Sequence, residues 1–242
     1  MHRDKKITLV IPSYNECEGI KFVLQRIASF IDEILVVDSS QDNTAEIARG
    51  MGATVIREER RGYGRAYKTG FLNVKGDIVV TTDADGTYPI DEKELPRILN
   101  FFIDNNLDFL NASRFPMKFS KEIMPYRRIF GNKFLTFMSN VLFRGGFRDI
   151  LSGMWIFKRD VPSKLKLIDD TWSFSEEIKI ESFMNKTIKF GEMHIPYKVR
   201  VGTSKLIEKI YYPYKIGLHN LFFMFKMKLH KHLFFNLPAD II

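Results

Sequence analysis

Residues Asp77 to Gly86 read DIVVTTDADG. A β-branched apolar run that stops on two carboxylates, Asp83 and Asp85, has the form of a buried strand delivering charge at its carboxyl end. Two negative charges so close repel unless a cation lies between them, and hard oxygen ligands of this kind hold Mg²⁺ or Mn²⁺ beside a diphosphate. A D-x-D triplet alone occurs in many surface loops. Its place directly after DIVVTT is what gives it meaning, because open α/β sheets bind ligands at the carboxyl ends of their strands.

The flanking sequence supplies the rest of such a sheet. Ile7–Ile11, Glu33–Asp38, Thr54–Arg57, Asp77–Thr82 and Asp108–Ser113 read as strands. Between them, helical patterns run over Glu18–Phe30, Asn43–Met51, a segment opened by the glycines of Arg61–Gly70, and Asp91–Asp104. This alternation predicts a mostly parallel α/β sheet flanked by helices. Beyond Arg114 the pattern predicts a helix over Tyr126–Phe143, a strand-like Asp149–Phe157, a helix over Ser175–Asn185 and a strand pair over Ile188–Val199 bent at Pro196. Reading the strand ends together gathers Pro12, Tyr14, Asn15, Glu16, Asp38, Asp83, Asp85 and Arg114 on one edge. Any one of these is an ordinary turn residue or cap, but four strand ends agree.

The 242 residues suffice for one sizeable core with an appendage, divided here as residues 1–205 and a tail of 206–242. Lone Cys17 cannot form an internal disulfide, and MHRDKKITLV lacks the apolar stretch of a signal peptide, which predicts cytosolic exposure. The longest apolar candidate, Ile216–Phe225, includes His219 and Asn220 and falls short of the ~20 residues of a bilayer-spanning helix. The net charge of +8 is uneven: residues 1–113 carry −4, residues 114–148 carry +7, residues 149–197 carry −1 and residues 198–242 carry +6. Basic blocks interleaved with Phe, Tyr, Leu and Met suit a nucleic acid, a membrane surface or an anionic substrate. In the tail, Ile210, Tyr214, Leu218, Leu221, Phe222 and Phe225 alternate with Lys209, Lys215, Lys226 and Lys228. This predicts an amphipathic helix lying on an anionic membrane surface at the cytoplasmic face, with a helix packed on the domain as the alternative.

Seven segments then occur in a fixed order: VIPSYNE (10–16), VVDSSQDNT (36–44), GYGRAYKTG (62–70), TTDADGTYP (81–89), NASR (111–114), DILSG (149–153) and RVGTSK (200–205). The ordered set resembles the family 2 glycosyltransferases, and within them the polyprenyl-phosphate sugar transferases of the dolichyl-phosphate mannose synthase type. The resemblance covers about residues 5–206. It implies a GT-A fold, a nucleotide-diphosphate sugar donor, Mg²⁺ or Mn²⁺, and inversion at the anomeric carbon. Carried over by position, it places Pro12, Tyr14, Glu16 and Asp38 at the nucleoside. Asp83, Ala84 and Asp85 fall at the ribose, diphosphate and metal, and Arg114, Arg200 and Lys205 near the donor diphosphate and acceptor. Arg128 and Asn132, four residues apart on a helix, match an acceptor-phosphate cradle, and Asp85 and Arg128 stand where catalysis depends on them. Two departures stand out. Thr87 replaces a frequent Gln, and the VVDSSQDNT segment is one residue short, leaving Asp38 and Asp42 as alternatives for the carboxylate nearest the base.

A phosphate acceptor needs no general base, since a monoester phosphate with second pKa near 6 is already ionised at pH 7. A sugar hydroxyl acceptor would need one, and Glu176 or Glu177 is the candidate, equally readable as an acidic first helical turn. A non-enzymatic nucleic-acid-binding protein is the rival from another class. The acidic first half with its carboxylate cluster argues against nucleic acid, whereas the resemblance implies a nucleotide-diphosphate sugar and a polyprenyl phosphate as partners.

Overall fold

The structure is a computed structural model and describes residues 1–116, 122–202 and 212–235. In chain order its elements are β1 (Ile7–Ser13), α1 (Cys17–Leu24), β2 (Glu33–Asp38), α2 (Thr44–Gly50), β3 (Thr54–Arg57), α3 (Tyr63–Phe71), β4 (Ile78–Thr81), α4 (Leu95–Asp104), β5 (Phe109–Ser113), α5 (Tyr126–Phe143), β6 (Trp155–Lys158), α6 (Phe174–Met184), β7 (Phe190–His194) and α7 (Tyr212–Phe235). The seven strands form one sheet in the order β3-β2-β1-β4-β6-β5-β7. All neighbours are parallel except β6, which runs antiparallel between β4 and β5.

Period-two alternation divides each strand between two cores. Leu9 and Ile11 of β1 and Ile156 of β6 face Ile20 of α1, Ala48 of α2 and Ile98 and Phe102 of α4. Val10 of β1 and Trp155 and Phe157 of β6 face Tyr67 and Phe71 of α3 and Phe174 and Ile178 of α6. The register sets Ser13 beside Asp38 and Val10 beside Thr81, so β1, β2 and β4 end on one edge. Because β6 runs the other way, its amino end arrives at that same edge. The loop before it, residues 149–153, is thereby carried beside Asp83.

Several boundaries differ from expectation for identifiable reasons. Helix α1 stops at Leu24 because the chain turns away to hydrogen-bond Ala28 N–H to Ile90 O. Helix α4 starts at Leu95, since the Asp91 carboxylate accepts the N–H groups of Lys93 and Glu94 and caps the preceding turn. The first half of the expected Asp149–Phe157 strand is a loop whose backbone groups bond to side chains: Asp149 O accepts from Asn111 Nδ2, and Gly153 N–H donates to the Tyr88 hydroxyl. Only β7 forms where a strand pair was expected. Past Pro196, which lacks an N–H, the chain instead crosses the DAD turn, with Lys198 N–H on Thr87 O and Val201 N–H on Asp85 O.

Helix α7 has two apolar sides. Phe223, Met224 and Met227 are buried with Leu135 and Phe143 of α5, Phe147, Ile150 and Ile180 of α6. Tyr214, Leu218, Phe222 and Phe225, expected on one stripe, are exposed, and Leu221 is half-buried. Ile210, Lys209 and Lys205 lie outside the described residues. Among the described residues no helix is long and apolar enough to cross a membrane.

Candidate active site

The candidate site is built from strand ends. After β4 the chain turns at Gly86, whose φ of +73° favours glycine. Asp85 is held there: its Oδ1 accepts the Thr87 hydroxyl at 2.7 Å and the Thr87 N–H at 3.1 Å. Thr87 therefore orients Asp85. Asp85 Oδ2 accepts from Arg200 Nη1 at 2.6 Å, and the other arm of Arg200 pairs with Glu16 at the start of α1. Glycine at 19 lets α1 come this close, because a Cβ there would stand 2.2 Å from Ala84 O. Ala84 is thus a wall fixed by helix packing.

Asp83 differs from Asp85. Among the described residues no hydrogen-bond donor reaches its carboxylate. Burial first and the neighbouring Asp85 second push its pKa up to about 7, against the pull of Arg200, Arg114 and Arg128. These three arginines come from β7's trailing segment, β5 and α5, and the fold brings all of them within electrostatic reach of one carboxylate. Gly153 forms the opposite wall, since a Cβ there would stand 3.2 Å from each Asp83 oxygen and 2.8 Å from the Tyr63 hydroxyl. Burial holds the Tyr63, Tyr67 and Tyr88 hydroxyls protonated, with pKa values well above the ordinary one.

The residues expected at the nucleoside also take defined places. Asp38, fully buried at the end of β2, accepts from Ser13 Oγ at 2.7 Å, from Ser40 N–H and Oγ, and from Arg57 Nη1 at 3.0 Å. Asp42 is exposed and bonds to Thr44, ahead of α2. Pro12 is half-buried near the end of β1. Tyr14 follows β1, with the Arg61 guanidinium 4.2 Å above its ring. Asn15 takes a positive φ and bridges to Ser40 and Gln41.

The residues expected at the acceptor have different surroundings. Arg114 is 3% exposed and its fork closes on Asp149, with Nε at 2.7 Å and Nη2 at 2.8 Å. Burial alone would raise the Asp149 pKa, but the guanidinium outweighs it and the carboxyl sits below its ordinary value. Arg128, half-buried in the first turn of α5, makes no ion pair or hydrogen bond through its guanidinium among the described residues. Asn132 is buried and turns its amide to Met124 Sδ at 3.5 Å. Glu176 and Glu177 are both buried. Glu177 accepts the N–H groups of Ile168 and Asp169, and among the described residues neither oxygen of Glu176 has a hydrogen-bond partner.

The residues fit a divalent cation shared with a phosphate ligand. No group of three or more His, Cys, Asp or Glu side chains among the described residues could hold a metal ion alone. Mg²⁺ commonly takes one or two carboxylates and completes its shell with substrate phosphates and water. Asp83, which meets no donor among the described residues, and Asp85, holding an arginine, present that donor set.

The family's sequence profile, described as glycosyl transferase family 2, matches residues 8–165. The chain belongs to glycosyl transferase family 2. Among its relatives, a dolichyl-phosphate hexose transferase of Haloferax volcanii is 34% identical over 203 residues, covering 83% of this chain and 86% of that protein. A low-salt glycan biosynthesis hexosyltransferase from the same organism is 33% identical over 207 residues, again 83% of this chain. The chain spans about half (49%) of that relative's length. Among solved structures, glucosyl-3-phosphoglycerate synthase of Mycobacterium tuberculosis in complex with Mn²⁺, UDP-glucose and phosphoglyceric acid superimposes with a TM-score of 0.69 at 18% identity, covering 98% of this chain and 82% of that one. The architecture of this glycosyltransferase is thus the GT-A fold.

Of the residues expected at the site, the structure brings Asp83, Asp85, Glu16, Arg128 and Arg200 together, while Asp38 closes the end of β2 with Ser13, Ser40 and Arg57. Sequence reasoning passed over Gly19, Arg57, Tyr88 and Lys179. Nothing marks Lys179 in FSEEIKIE as buried, because a lysine on an α-helix ordinarily faces water.

Proposed function

We propose that this glycosyltransferase moves a hexose, with inversion, from a nucleotide-diphosphate sugar to a polyprenyl phosphate of dolichyl type. The observation that carries the reading is Arg128: a guanidinium without a partner among the described residues, in electrostatic reach of Asp83, at the foot of a helix with an apolar outer face. Such a group receives an anionic acceptor by charge-assisted, potentially bidentate hydrogen bonds. The name of the Haloferax volcanii dolichyl-phosphate hexose transferase supports the same acceptor class.

In this reading Asp38, Tyr14 and Pro12 border the nucleoside, and Asp83 and Asp85 hold Mg²⁺ or Mn²⁺ with the donor diphosphate. When bound, the metal supplies charge that stabilises the departing nucleotide diphosphate. Release of Asp85 by Arg200 frees one arm of its fork, Nη1, for a phosphate oxygen. The ionised acceptor phosphate attacks without prior loss of a proton, so no base is required. The burial of Glu176 and Glu177 speaks against the sugar-hydroxyl reading, which needs an accessible carboxylate there.

The protein would work peripherally at the cytoplasmic face. Phe130, Phe134, Phe137 and Val141 form an exposed stripe on α5, and Leu218, Phe222, Phe225 and Leu229 form one on α7, both with the spacing 4, 3, 4. Exposed Arg127, Lys133, Lys215 and Lys226 accompany them. Each basic residue at an anionic surface contributes about 1 kcal/mol, and inserted aromatics add to this.

A matched pair of acceptors tests the chemistry: a short-chain polyprenyl phosphate and the corresponding free alcohol, each with a panel of labelled nucleotide sugars and Mn²⁺. Label entering only the phosphate is expected. Label entering the alcohol, or a soluble sugar in preference to either, contradicts the reading.

A further inference from the structure

Lys179 is a fully buried lysine in the middle of α6. It has no carboxylate within ion-pairing distance among the described residues. Its Nζ donates to Ser152 O at 2.7 Å and to Ser175 Oγ at 3.0 Å, and lies 5.6 Å from the Trp155 ring centre. Burial drives its pKa down to about 7 despite the fields of Asp149, Glu176 and Glu192. Placing an amine here is costly when an apolar side chain of the same length would fill the space. The benefit must lie in what it holds.

It holds one peptide group. The Ser152 carbonyl collects three donors: Lys179 Nζ, Trp155 Nε1 at 2.8 Å and Ser175 Oγ at 3.1 Å. The next residue is Gly153, whose N–H is fixed by the Tyr88 hydroxyl at 2.6 Å and whose carbonyl accepts from Thr81 Oγ1 at 3.0 Å. Gly153 packs closely on Tyr63 and Asp83: a Cβ there would stand 2.8 Å from the Tyr63 hydroxyl and 3.2 Å from each Asp83 oxygen. At the other end of the same short loop, Asp149 closes on Arg114.

We propose that Lys179 is a positioning residue of the transfer reaction: by clamping the Ser152 carbonyl it holds Gly153 against Asp83 and fixes that carboxylate's orientation toward the donor diphosphate. This rests on the reading of Asp83 as part of the donor site. A group acting through such an outer contact typically carries about 10–100-fold in metal affinity or activity.

The test is Lys179→Met, measured for thermal unfolding, for Mn²⁺-dependent binding of UDP and GDP by calorimetry, and for kcat. An unchanged or raised Tm is expected, because an apolar replacement removes a buried charge. Nucleoside-diphosphate affinity in Mn²⁺ and kcat should both fall about 10–100-fold. Wild-type binding and turnover in the folded variant overturn the proposal, as does a loss of activity that only tracks a loss of Tm. Should Lys179→Met fail to fold, Ser175→Ala decides, because it removes one donor of the Ser152 carbonyl and one acceptor of Lys179: weaker nucleoside-diphosphate binding at wild-type Tm supports the clamp, and wild-type binding overturns it. If the wild-type protein itself binds neither nucleotide with Mn²⁺, the donor reading falls and this role with it, a result distinct from any variant-only outcome.

Discussion

Replacing Asp149 by Asn should destabilise this glycosyltransferase by about 3–5 kcal/mol, the range for removing one partner of a buried ion pair. The side chains of Arg114 and Asp149 are 4% and 0% exposed, so water replaces neither partner. Asp149 Oδ2 accepts the Arg114 Nε at 2.7 Å and the Arg114 backbone N–H at 3.0 Å, while Oδ1 accepts Nη2 at 2.8 Å. An asparagine that keeps its oxygen at the Oδ2 position must turn its NH₂ toward Nη2, setting donor against donor and leaving a buried guanidinium uncompensated. For a chain of this size each kcal/mol moves Tm by roughly 2–4 °C, so a drop of about 6–20 °C is expected in calorimetry or circular dichroism. The double variant Arg114→Met, Asp149→Leu should recover most of it, because an apolar pair carries no desolvation cost. The sign in pH follows from the depressed Asp149 pKa: the contribution is present above the ordinary carboxylate pKa and is lost as pH falls through the folded value. A Tm for Asp149→Asn within about 2 °C of wild type would refute the reasoning.

Asp85→Asn, at nearly constant volume, should lower kcat at least about 10²-fold with the fold intact, and undiminished turnover in excess chelator would sink the metal assignment. Arg128→Lys keeps charge but loses the fork, so steady-state kinetics should show a raised acceptor KM with donor binding unchanged; loss of donor binding instead would reassign the residue. Leu218, Phe222 and Phe225 changed together to Ser should leave Tm nearly unchanged while reducing sedimentation with anionic liposomes; equal sedimentation would mean the stripe does not meet lipid. Burial raises the Glu176 pKa from 4.5 to about 8, so the folded state binds more protons and stability falls as pH rises between those values, by at most about 1.4 kcal/mol per unit. Glu176→Gln should flatten that fall in urea midpoints between pH 5 and 7, and an unchanged slope would contradict it.

The carboxylate-bearing half of the candidate site was legible because its chemistry coincides with strand ends. DIVVTTDADG announces both a buried strand and the carboxylates it delivers, and Asp38 follows directly from EILVVD. The DILSG segment was legible as a motif but not as a wall of the site, because its placement depends on β6 running antiparallel, a tertiary choice invisible in local pattern. Lys179 was passed over for the same reason: a polar side chain on a helix looks solvated until the neighbouring elements are in place. In α7 the periodicity correctly signalled a helix but not its two faces, since α5 takes Phe223, Met224 and Met227 and leaves Leu218, Phe222 and Phe225 outside. A chain truncated before α7 would consequently uncover Leu135 and Phe143 and confuse membrane binding with unfolding.

The central claim, a sugar joined to a lipid phosphate, is tested most directly on the phosphorus atom of the product. A monoester phosphate retains a second ionisation near pH 6, whereas esterification to an anomeric carbon removes it. After incubation of polyprenyl phosphate with the enzyme, Mn²⁺ and its nucleotide sugar, the ³¹P resonance of the purified glycolipid is followed from pH 4 to pH 8. A chemical shift that stays constant through pH 6 in the sugar-bearing lipid is the result the account predicts. A sugar-bearing lipid whose phosphorus still titrates near pH 6, or donor turnover that leaves the lipid unmodified, would contradict it.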